Sequence, residues 1–276
     1  MPDWFRRRED NIADSAREAV PEGAFIKCSK CEAILYVKDF EADLKVCSKC
    51  GHHHRLNADE RIGITADEGS WEEFDAATIE SQDFLEFPGY AEKLALFAGR
   101  TDGLVTGTAA ISGIPCVLAI SDFDAARLAG TMGSVFGEKF CRAADRALEE
   151  RSALITFCAS GGARMQEGLT SLMQMAKTSL SVAQLAEAKV PYIVVFTHPS
   201  TGGAVASYAS LGDVIFSEPG ATIGLSGERV SAQATAQKPP ANFRTAEFAL
   251  EHGLIDDVVA RRDLTATLAR TLQFFR

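Results

Sequence analysis

The distribution of apolar residues along the chain predicts a series of buried strands separated by helices. Residues 104–121 form two strand-length apolar stretches around Ser112-Gly113, a pattern that predicts a β-hairpin. Residues 133–151 instead carry apolar side chains three or four positions apart, which is the spacing of an amphipathic helix. The chain therefore combines strands and helices in this region.

A strand, a turn with a glycine pair and the start of a helix occur twice in succession. The first unit is ALITFCASGGARMQEG at 153–168, and the second is YIVVFTHPSTGGAVAS at 192–207. A helix within 171–189 joins them and ends before Pro191, and another strand is expected at 213–219. Further helices are expected near 59–69, 244–252 and 263–275. This repeated order predicts an α/β domain in which successive strands stack through turns, not a single dinucleotide-binding unit.

Four of the seven cysteines form two C-x2-C pairs separated by fifteen residues. Each pair can present two thiolates to one metal ion, and four thiolates suit tetrahedral Zn2+. Because the protein fills every coordination position in such a site, we expect a structural zinc ribbon with one ion per chain. An iron–sulfur cluster or four unrelated thiols are the alternatives. The predicted ligands are Cys28, Cys31, Cys47 and Cys50.

The other cysteines and a run of three histidines are given no ligand role. Cys116, Cys141 and Cys158 lie in apolar stretches and are expected to pack as inert thiols. The histidines at 52–54 follow the second cysteine pair directly. We expect them to face solvent or to pack against the ribbon.

Composition and charge narrow the classes of function. The 276-residue chain is 46% hydrophobic and has a formal net charge of −10, which disfavours nonspecific nucleic-acid binding. Residues 27–55 differ locally, because six basic and four acidic side chains give them a net +2. No apolar run approaches the roughly 18 residues that a membrane span needs, and the charged N-terminus lacks the apolar core of a signal peptide. These features predict a protein of the cytoplasm or an organelle stroma that binds no membrane, with a tail at 1–24, a ribbon at 25–56 and a main domain at 57–276.

The two glycine pairs occupy matching positions, each between a predicted strand and a predicted helix start. Glycine in such a turn permits positive φ and close approach of a ligand, and the first amides of a helix are free to donate hydrogen bonds. Donors of this kind stabilise negative charge that develops on an oxygen atom. We therefore expect an oxyanion-binding role, with tight packing of helix against strand as the alternative. The four residues are Gly161, Gly162, Gly202 and Gly203.

A hydrolase interpretation of the second turn has weaker support. Ser207 and His198 flank this turn, and a triad requires a neighbouring acid such as Asp213 or Glu218. The nucleophile motif G-x-S-x-G is missing from the sequence. We therefore expect Ser207 to be buried on a helix.

A set of motifs follows the cysteine pairs in a fixed order: ASGGARMQEG at 159–168, SLMQMAKTS at 171–179, TGG at 201–203 and EFALEHGLIDDVV at 247–259. Together with the four cysteines, these motifs resemble the carboxyltransferase beta subunits of bacterial and plastid acetyl-CoA carboxylase. The resemblance runs from about Phe25 to the C-terminus. It implies a crotonase/ClpP-like spiral fold for the main domain.

By this resemblance, the chain is the beta half of a biotin-dependent carboxyltransferase that acts in the first step of fatty-acid synthesis. Carboxybiotin releases its carboxyl group, the biotin anion removes a proton from the α-carbon of acetyl-CoA, and the thioester enolate attacks the carboxyl carbon to give malonyl-CoA. The resemblance assigns the two glycine pairs as backbone donors to the developing oxyanions. Arg164 is expected to contact the CoA phosphates, and a helix-surface salt bridge with Glu167 is the alternative.

The resemblance also implies partners that the chain does not contain. These are a carboxyltransferase alpha subunit in an α2β2 assembly with the active site between subunits, a biotin carboxyl carrier protein that delivers carboxybiotin, and a biotin carboxylase. The sequence has neither an ATP-binding glycine loop nor a Met-Lys-Met biotinylation site. The chain alone is therefore expected to be inactive.

One segment departs from the family pattern. Residues 123–133 read FDAARLAGTMG, where the family usually has aromatics and an M-G-G-S-M-G run. Two alternatives therefore stay open. The first is a carboxyltransferase or decarboxylase subunit for a different acyl-CoA. The second is a protein whose zinc ribbon binds nucleic acid or another partner.

Overall fold

The chain forms two compact units, of which the second is much the larger. A computed structural model describes residues 23–75, 79–96, 102–225, 240 and 242–276. The first unit ends at Gly51 and the second begins at His52, so residues 52–56 belong to the larger unit rather than to the ribbon. The predicted tail at 1–24 lies almost entirely outside the described residues.

The small unit is a short hairpin followed by one helix. Strand β1 (Phe25–Lys27) pairs antiparallel with β2 (Ile34–Tyr36), and helix α1 (Val37–Ala42) follows directly. Its buried side chains are few and include two of the cysteines: Cys28, Leu35, Phe40 and Cys47. A core of this size is too small to hold a fold by apolar burial alone, which is the situation in which small domains use a metal or disulfides.

The large unit contains eight strands and six α-helices within its described residues. The strands are β3 (Glu72–Phe74), β4 (Leu104–Ile111), β5 (Ile114–Ser121), β6 (Ala153–Ser160), β7 (Tyr192–Thr201), β8 (Val214–Ser217), β9 (Ile223–Gly224) and β10 (Asp257–Val258). The helices are α2 (Ala58–Thr65), α3 (Tyr90–Leu96), α4 (Ser134–Glu150), α5 (Gly168–Glu187), α6 (Ala246–Glu251) and α7 (Arg261–Phe274). No described helix has the length and hydropathy needed to cross a lipid bilayer.

These strands form one mixed sheet in the spatial order β10-β8-β7-β6-β5-β4-β3, and β9 pairs with β7. The β3-β4-β5 part is antiparallel and includes the predicted hairpin. From β5 onwards each pair along this order is parallel, and β5 to β8 lie side by side in the order of the sequence. Between β5 and β8 each connection therefore moves the chain one strand further along the sheet, which confirms the predicted stacking of strands through turns.

The central strands are apolar throughout because both faces of the sheet are covered. In β6, Leu154 and Cys158 enter the core on the side of α4, whereas Ile155 and Phe157 enter the core on the side of α7. Side chains of a strand alternate between its two faces, so each strand contributes to two cores at once. This double burial produces the uninterrupted apolar runs of the sequence.

The predicted helices are present except for one. Helix α2 begins after a capping box between Asn57 and Glu60, and helix α4 buries its apolar stripe as the spacing predicted. The helix expected after the second glycine pair is absent. Residues 202–207 form turns that lead into a 3-10 helix at Tyr208–Ser210. An α-helix cannot run through Ser207, because its φ of −134° and ψ of −117° are not helical.

Candidate functional site

The two glycine pairs lie against each other at one edge of the sheet. They follow β6 and β7, which are adjacent parallel strands, so both turns fall at the carboxyl ends of their strands. This edge is where ligands bind in open α/β sheets. A Cβ atom placed on Gly162 would lie 3.1 Å from the Cα of Gly202, and one on Gly202 would lie 3.1 Å from the Cα of Gly162. Glycine is therefore required here by close approach as well as by φ values of +97° and +67°.

Three of the four predicted amide donors already have acceptors within the protein. The N–H of Gly161 donates to the carbonyl of Ala129 at 3.1 Å, and that of Gly202 donates to the carbonyl of Gly224 at 2.9 Å. The N–H of Gly162 donates to Ser160 Oγ at 3.1 Å. These glycines therefore shape the two turns and hold them together, whereas their N–H groups are occupied.

Amides beside these glycines have no acceptor among the described residues. In the second turn they belong to Gly203, Ala204 and Val205, and in the first turn to Ala163. The Cβ position of Gly203 is 3.3 Å from the nitrogen of Ala163, so free donors from both turns lie within a few ångströms of each other. Ala163 was not predicted from the sequence, because every non-proline residue carries an N–H and only the fold determines which ones stay unpaired.

Arg164 is buried and fully hydrogen-bonded. Its two terminal nitrogens donate to the carboxylate oxygens of Asp102 at 2.8 and 2.6 Å, and Nη1 also lies 3.0 Å from Glu167 Oε1. Further bonds go to Thr131, Ser81 and Tyr90. With these contacts every guanidinium N–H has an acceptor. The geometry gives no support to the expected contact with CoA phosphates. It contains the alternative pair with Glu167, although this pair is buried and not on a helix surface.

The environment of Arg164 fixes the ionisation of its partners. Burial alone raises the pKa of Asp102, but the adjacent guanidinium and its hydrogen bonds hold that pKa below the usual value. Burial, and the bond to Glu167, raise the pKa of Tyr90 to about 12 despite the opposing charge of Arg164. The second oxygen of Glu167 accepts the N–H of Ser134, the first residue of α4, at 2.6 Å. The cluster therefore ties the first glycine turn to the start of α4 and to the start of β4.

The four predicted zinc ligands converge. All four Sγ atoms lie within 4.8 Å of one another, and the Cys28–Cys50 and Cys31–Cys47 Sγ distances are both 3.8 Å. A tetrahedral ion with Zn–S bonds of about 2.3 Å places its sulfur atoms about 3.8 Å apart. The thiols therefore fit a closed Zn2+ site.

One of the three histidines after the ribbon, His53, does not face solvent. His53 is buried in the large unit, where its Nε2 accepts the N–H of Arg261 at 3.3 Å. Arg261 is the first residue of α7, so His53 caps that helix. Residues 52–54 fold as part of the larger unit.

The remaining thiols and the hydrolase interpretation offer no reactive group. Burial raises the pKa of Cys116 to about 12 and that of Cys158 to about 11, so both stay protonated at neutral pH. The hydroxyl of Ser207 donates to the carbonyl of Gly203 at 2.6 Å. Ser207 is buried by this turn and not on the helix that was expected. Asp213 accepts the N–H of Tyr192, and Glu218 is bound by arginines.

A row of exposed apolar side chains follows the first glycine turn. Leu169, Leu172, Met173 and Leu180 are 72, 52, 57 and 62% exposed, and Met165 just before them is 70% exposed. Their spacing of three, four and seven places them along one side of α5. We call these five residues the α5 apolar face. Contiguous apolar surface of this kind marks interaction sites on soluble proteins.

Known proteins match the chain over nearly its whole length. The model of the carboxyl transferase domain matches residues 52–247, and that of the acetyl-CoA carboxylase zinc finger domain matches residues 25–50. The acetyl-coenzyme A carboxylase carboxyl transferase subunit beta of Desulforamulus reducens is 48% identical, over 96% of this chain and 92% of that protein. The subunit of the same name from Prochlorococcus marinus (strain MIT 9301) is 45% identical, over 98% and 94%.

Solved structures confirm the predicted carboxyltransferase, crotonase-like fold. Transcarboxylase 12S with methylmalonyl-coenzyme A bound superposes with a TM-score of 0.69 at 25% identity, and this chain spans 86% of its own length but only 42% of that chain. A Pseudomonas malonate decarboxylase hetero-tetramer superposes with a TM-score of 0.64 at 24% identity, over 80% of this chain and 82% of that one. The family models, the identities and the four converging cysteines agree, and the chain belongs to the family of acetyl-coenzyme A carboxylase carboxyl transferase beta subunits.

Proposed function

We propose that this chain is the beta half of a biotin-dependent carboxyltransferase that transfers a carboxyl group from carboxybiotin to acetyl-CoA and forms malonyl-CoA. The observation that carries the proposal is the group of unpaired amides where the two glycine turns meet. Thioester chemistry needs donors of this kind, because negative charge develops on the thioester oxygen when the α-carbon loses its proton.

The amides of Ala163 and Gly203 are the donors in this proposal. They come from different turns, and the close approach of Gly162 to Gly202 fixes their separation. Fixed donors need no reorganisation as charge develops, and a single well-placed donor contributes about 3–4 kcal/mol in a well-studied hydrolase. The glycines themselves act by position: they let the two turns come close enough for one oxygen to meet both amides.

Because the two turns are adjacent, their free amides form one oxyanion site and not two. The earlier expectation gave each glycine pair its own oxygen, one on the thioester and one on biotin. In the revised proposal this chain stabilises the thioester oxygen, and the partner subunit supplies the donors for the biotin oxygen. Carboxybiotin arrives on a separate carrier protein after its formation by biotin carboxylase.

The α5 apolar face is the proposed docking surface for the alpha subunit. It begins two residues after Ala163 with Met165, so a subunit seated on it lies beside the proposed oxyanion site. Burial of its side chains on association is worth about 25 cal/mol per Å2 of apolar area. Replacing Leu172 with Glu should prevent assembly, and replacing Leu254, which is 63% exposed elsewhere on the surface, should leave assembly intact.

The zinc ion is proposed to be structural. Cys28, Cys31, Cys47 and Cys50 fill all four coordination positions, which leaves none for water or substrate. When bound, the ion would cross-link the four cysteines and so stabilise a unit whose own apolar core is small. No step of the carboxyl transfer is assigned to it.

The test is reconstitution with the alpha subunit of the same organism. The purified complex should catalyse malonyl-CoA-dependent carboxylation of biocytin, the reverse reaction, and neither subunit alone should do so. Turnover by this chain alone would refute the shared active site. A stable complex that carboxylates biocytin from another acyl-CoA, but not from malonyl-CoA, would refute acetyl-CoA as the substrate.

One observation favours a second candidate, a carboxyltransferase for a different acyl-CoA. The carbonyl of Ala129 accepts the N–H of Gly161, so the segment that departs from the family pattern lies directly against the first glycine turn. Changes there alter the wall beside the reacting thioester. A panel of short, branched and long acyl-CoA substrates, with kcat/KM measured for each, distinguishes the two candidates.

A further inference from the structure

A single β-bridge joins Met132 to the first glycine turn. The N–H of Met132 donates to the carbonyl of Gly162 at 2.8 Å, and the carbonyl of Met132 accepts the N–H of Arg164 at 3.0 Å. These two bonds make a parallel bridge between Met132 and Ala163. Met132 is fully buried, so water does not compete for them.

This bridge determines where the N–H of Ala163 points. In a parallel bridge only one of the two residues directs its own N–H and C=O at the other chain segment, and the same groups of its partner point away. Met132 is the residue that uses its groups, so the N–H of Ala163 points away from Met132. The Ala163 nitrogen lies 3.3 Å from the Cβ position of Gly203 in the second turn. The bridge therefore directs this donor to the proposed oxyanion site.

The side chain of Arg164 holds the residue before the bridge. Its Nη2 donates to the carbonyl of Thr131 at 2.8 Å, and its Nε donates to Thr131 Oγ1 at 3.1 Å. Because the backbone N–H of Arg164 binds Met132, one arginine contacts two consecutive residues, with its side chain on the first and its backbone on the second. These bonds close a ring that fixes the bridge from both ends.

The guanidinium group of Arg164 is a rigid support for this ring. Its two terminal nitrogens donate to the two carboxylate oxygens of Asp102 at 2.8 and 2.6 Å, and the two side chains are 0 and 7% exposed. Bidentate pairs of arginine and carboxylate are strong and have a fixed geometry. A shift of Thr131 is therefore not taken up by a movement of the arginine.

The hydroxyl of Thr131 is the part of this arrangement that depends on residue type. It donates to the carbonyl of Leu128 at 2.7 Å and accepts the Nε–H of Arg164. Any residue supplies the Thr131 carbonyl, whereas among side chains of this size only threonine and serine supply a hydroxyl. Its removal leaves the Nε–H of a buried guanidinium without this acceptor, and an unsatisfied buried donor is costly. We expect the backbone at 131–132 to shift as a result.

We propose that Thr131 is a positioning residue for carboxyl transfer, whose hydroxyl couples the Asp102–Arg164 pair to the bridge that orients the N–H of Ala163. This inference rests on the proposed function, in which Ala163 supplies one of the two donors to the thioester oxygen. Thr131 contacts no reacting atom and acts through its neighbours. Since the oxyanion develops only in the transition state, loss of the hydroxyl should lower kcat and leave KM nearly unchanged.

The experiment compares two substitutions of Thr131 as complexes with the alpha subunit, assayed by malonyl-CoA-dependent carboxylation of biocytin. Thr131→Val removes the hydroxyl and should lower kcat about tenfold, because small misplacements of catalytic groups are costly, with KM for malonyl-CoA within about twofold of the parent. Thr131→Ser keeps the hydroxyl and should retain the parental kcat.

Thr265 provides the matched control. Its half-buried hydroxyl donates to the carbonyl of Ile64 at 2.8 Å and joins α7 to α2. Thr265→Val therefore removes a comparable hydrogen bond between parts of the chain that do not contribute to the glycine turns. Its kcat should equal that of the parent, and its melting temperature should fall by about as much as that of Thr131→Val.

A measurement without turnover separates this inference from the proposed function. Amide hydrogen exchange, followed by NMR on the zinc-loaded full chain, should be about tenfold faster at Met132 and Arg164 in Thr131→Val than in Thr265→Val, because the bonds of the bridge open more readily. An inactive parent complex would refute the proposed function, and the exchange rates would then decide the inference by themselves.

Three results would overturn the positioning role of Thr131. These are a parental kcat in Thr131→Val, an equal loss of kcat in Thr131→Ser, and equal exchange rates in Thr131→Val and Thr265→Val. Should Thr131→Val fail to fold, Thr131→Ala removes the hydroxyl without adding bulk. It should then show the same loss of kcat and the same faster exchange.

Discussion

Replacing Gly202 with Ala should slow catalysis far more than it destabilises the fold. The new methyl carbon would lie 3.1 Å from the Cα of Gly162 and 3.5 Å from the carbonyl oxygen of Gly161. Backbone atoms cannot rotate away as a flexible side chain does, so the two glycine turns must separate by a few tenths of an ångström. That movement changes the separation of the Ala163 and Gly203 amides, which must both reach one oxygen.

The expected magnitudes of the two effects differ. A non-glycine residue held at a φ of +67° costs about 1–2 kcal/mol in stability. Loss of one oxyanion donor costs about 2.7–4 kcal/mol in the transition state, which is about a hundredfold to a thousandfold in kcat. Since the bound thioester carries little charge on its oxygen, KM should change far less than kcat.

Gly253 provides a matched control for Gly202→Ala. It has a φ of +70°, and no atom lies within 4 Å of its Cβ position. Gly253→Ala therefore carries the same backbone strain without displacing the glycine turns. Both variants are assayed as complexes with the alpha subunit by malonyl-CoA-dependent carboxylation of biocytin, and their melting temperatures are compared. If the two variants show the same kcat within a factor of three, the proposed role of the glycine contact is wrong.

Three further predictions concern stability and metal binding. Cys28→Ser should reduce the zinc content measured by atomic absorption from one ion per chain to a small fraction, because zinc ribbons need all four ligands. Burial lowers the pKa of Lys139 to about 8, so the unfolded chain binds more protons between about pH 8 and 10.5 and the free energy of unfolding should rise over that range. Lys139→Met should abolish the rise and stabilise the chain at pH 7 by about 1–3 kcal/mol, measured by urea denaturation. Arg164→Lys should destabilise it by about 2–3 kcal/mol in the same assay, since three donors replace five, and an unchanged midpoint would contradict that account.

The pattern of apolar and turn residues over short stretches of sequence was enough to predict the strands and helices that form from residues close together in the chain. The hairpin at 104–121 follows from two apolar stretches and a Ser-Gly turn, and helix α4 follows from its spacing. The zinc site was also predictable, because two C-x2-C pairs bring four thiolates together with few other requirements. The helix expected after Gly203 fails because the backbone of Ser207 leaves helical φ and ψ, a departure that residue composition does not reveal.

The environment of Arg164 shows why the site was harder to predict than the fold. Spacing alone suggested the pair with Glu167, three residues away. The stronger partner, Asp102, is 62 residues away in sequence, and nothing in the local pattern connects the two. The pair was also expected on a helix surface, whereas both side chains are buried. Local spacing does not show which charged side chains the fold buries. The unpaired amide of Ala163 was missed because backbone donors are identical in every sequence.

The segment that departs from the family pattern supports the first glycine turn through its backbone. The carbonyl of Ala129 accepts the N–H of Gly161, and the carbonyl of Gly130 accepts the hydroxyl of Ser160 at 2.7 Å. Any residue type supplies these carbonyls, so side-chain changes at Leu128 and Ala129 leave the support of the first glycine turn in place. The side-chain changes alter the backbone strain at these two positions, because both residues have positive φ. They also alter the shape of the neighbouring surface. Divergence here is therefore compatible with unchanged thioester chemistry, and the preferred acyl chain is the property that it is free to alter.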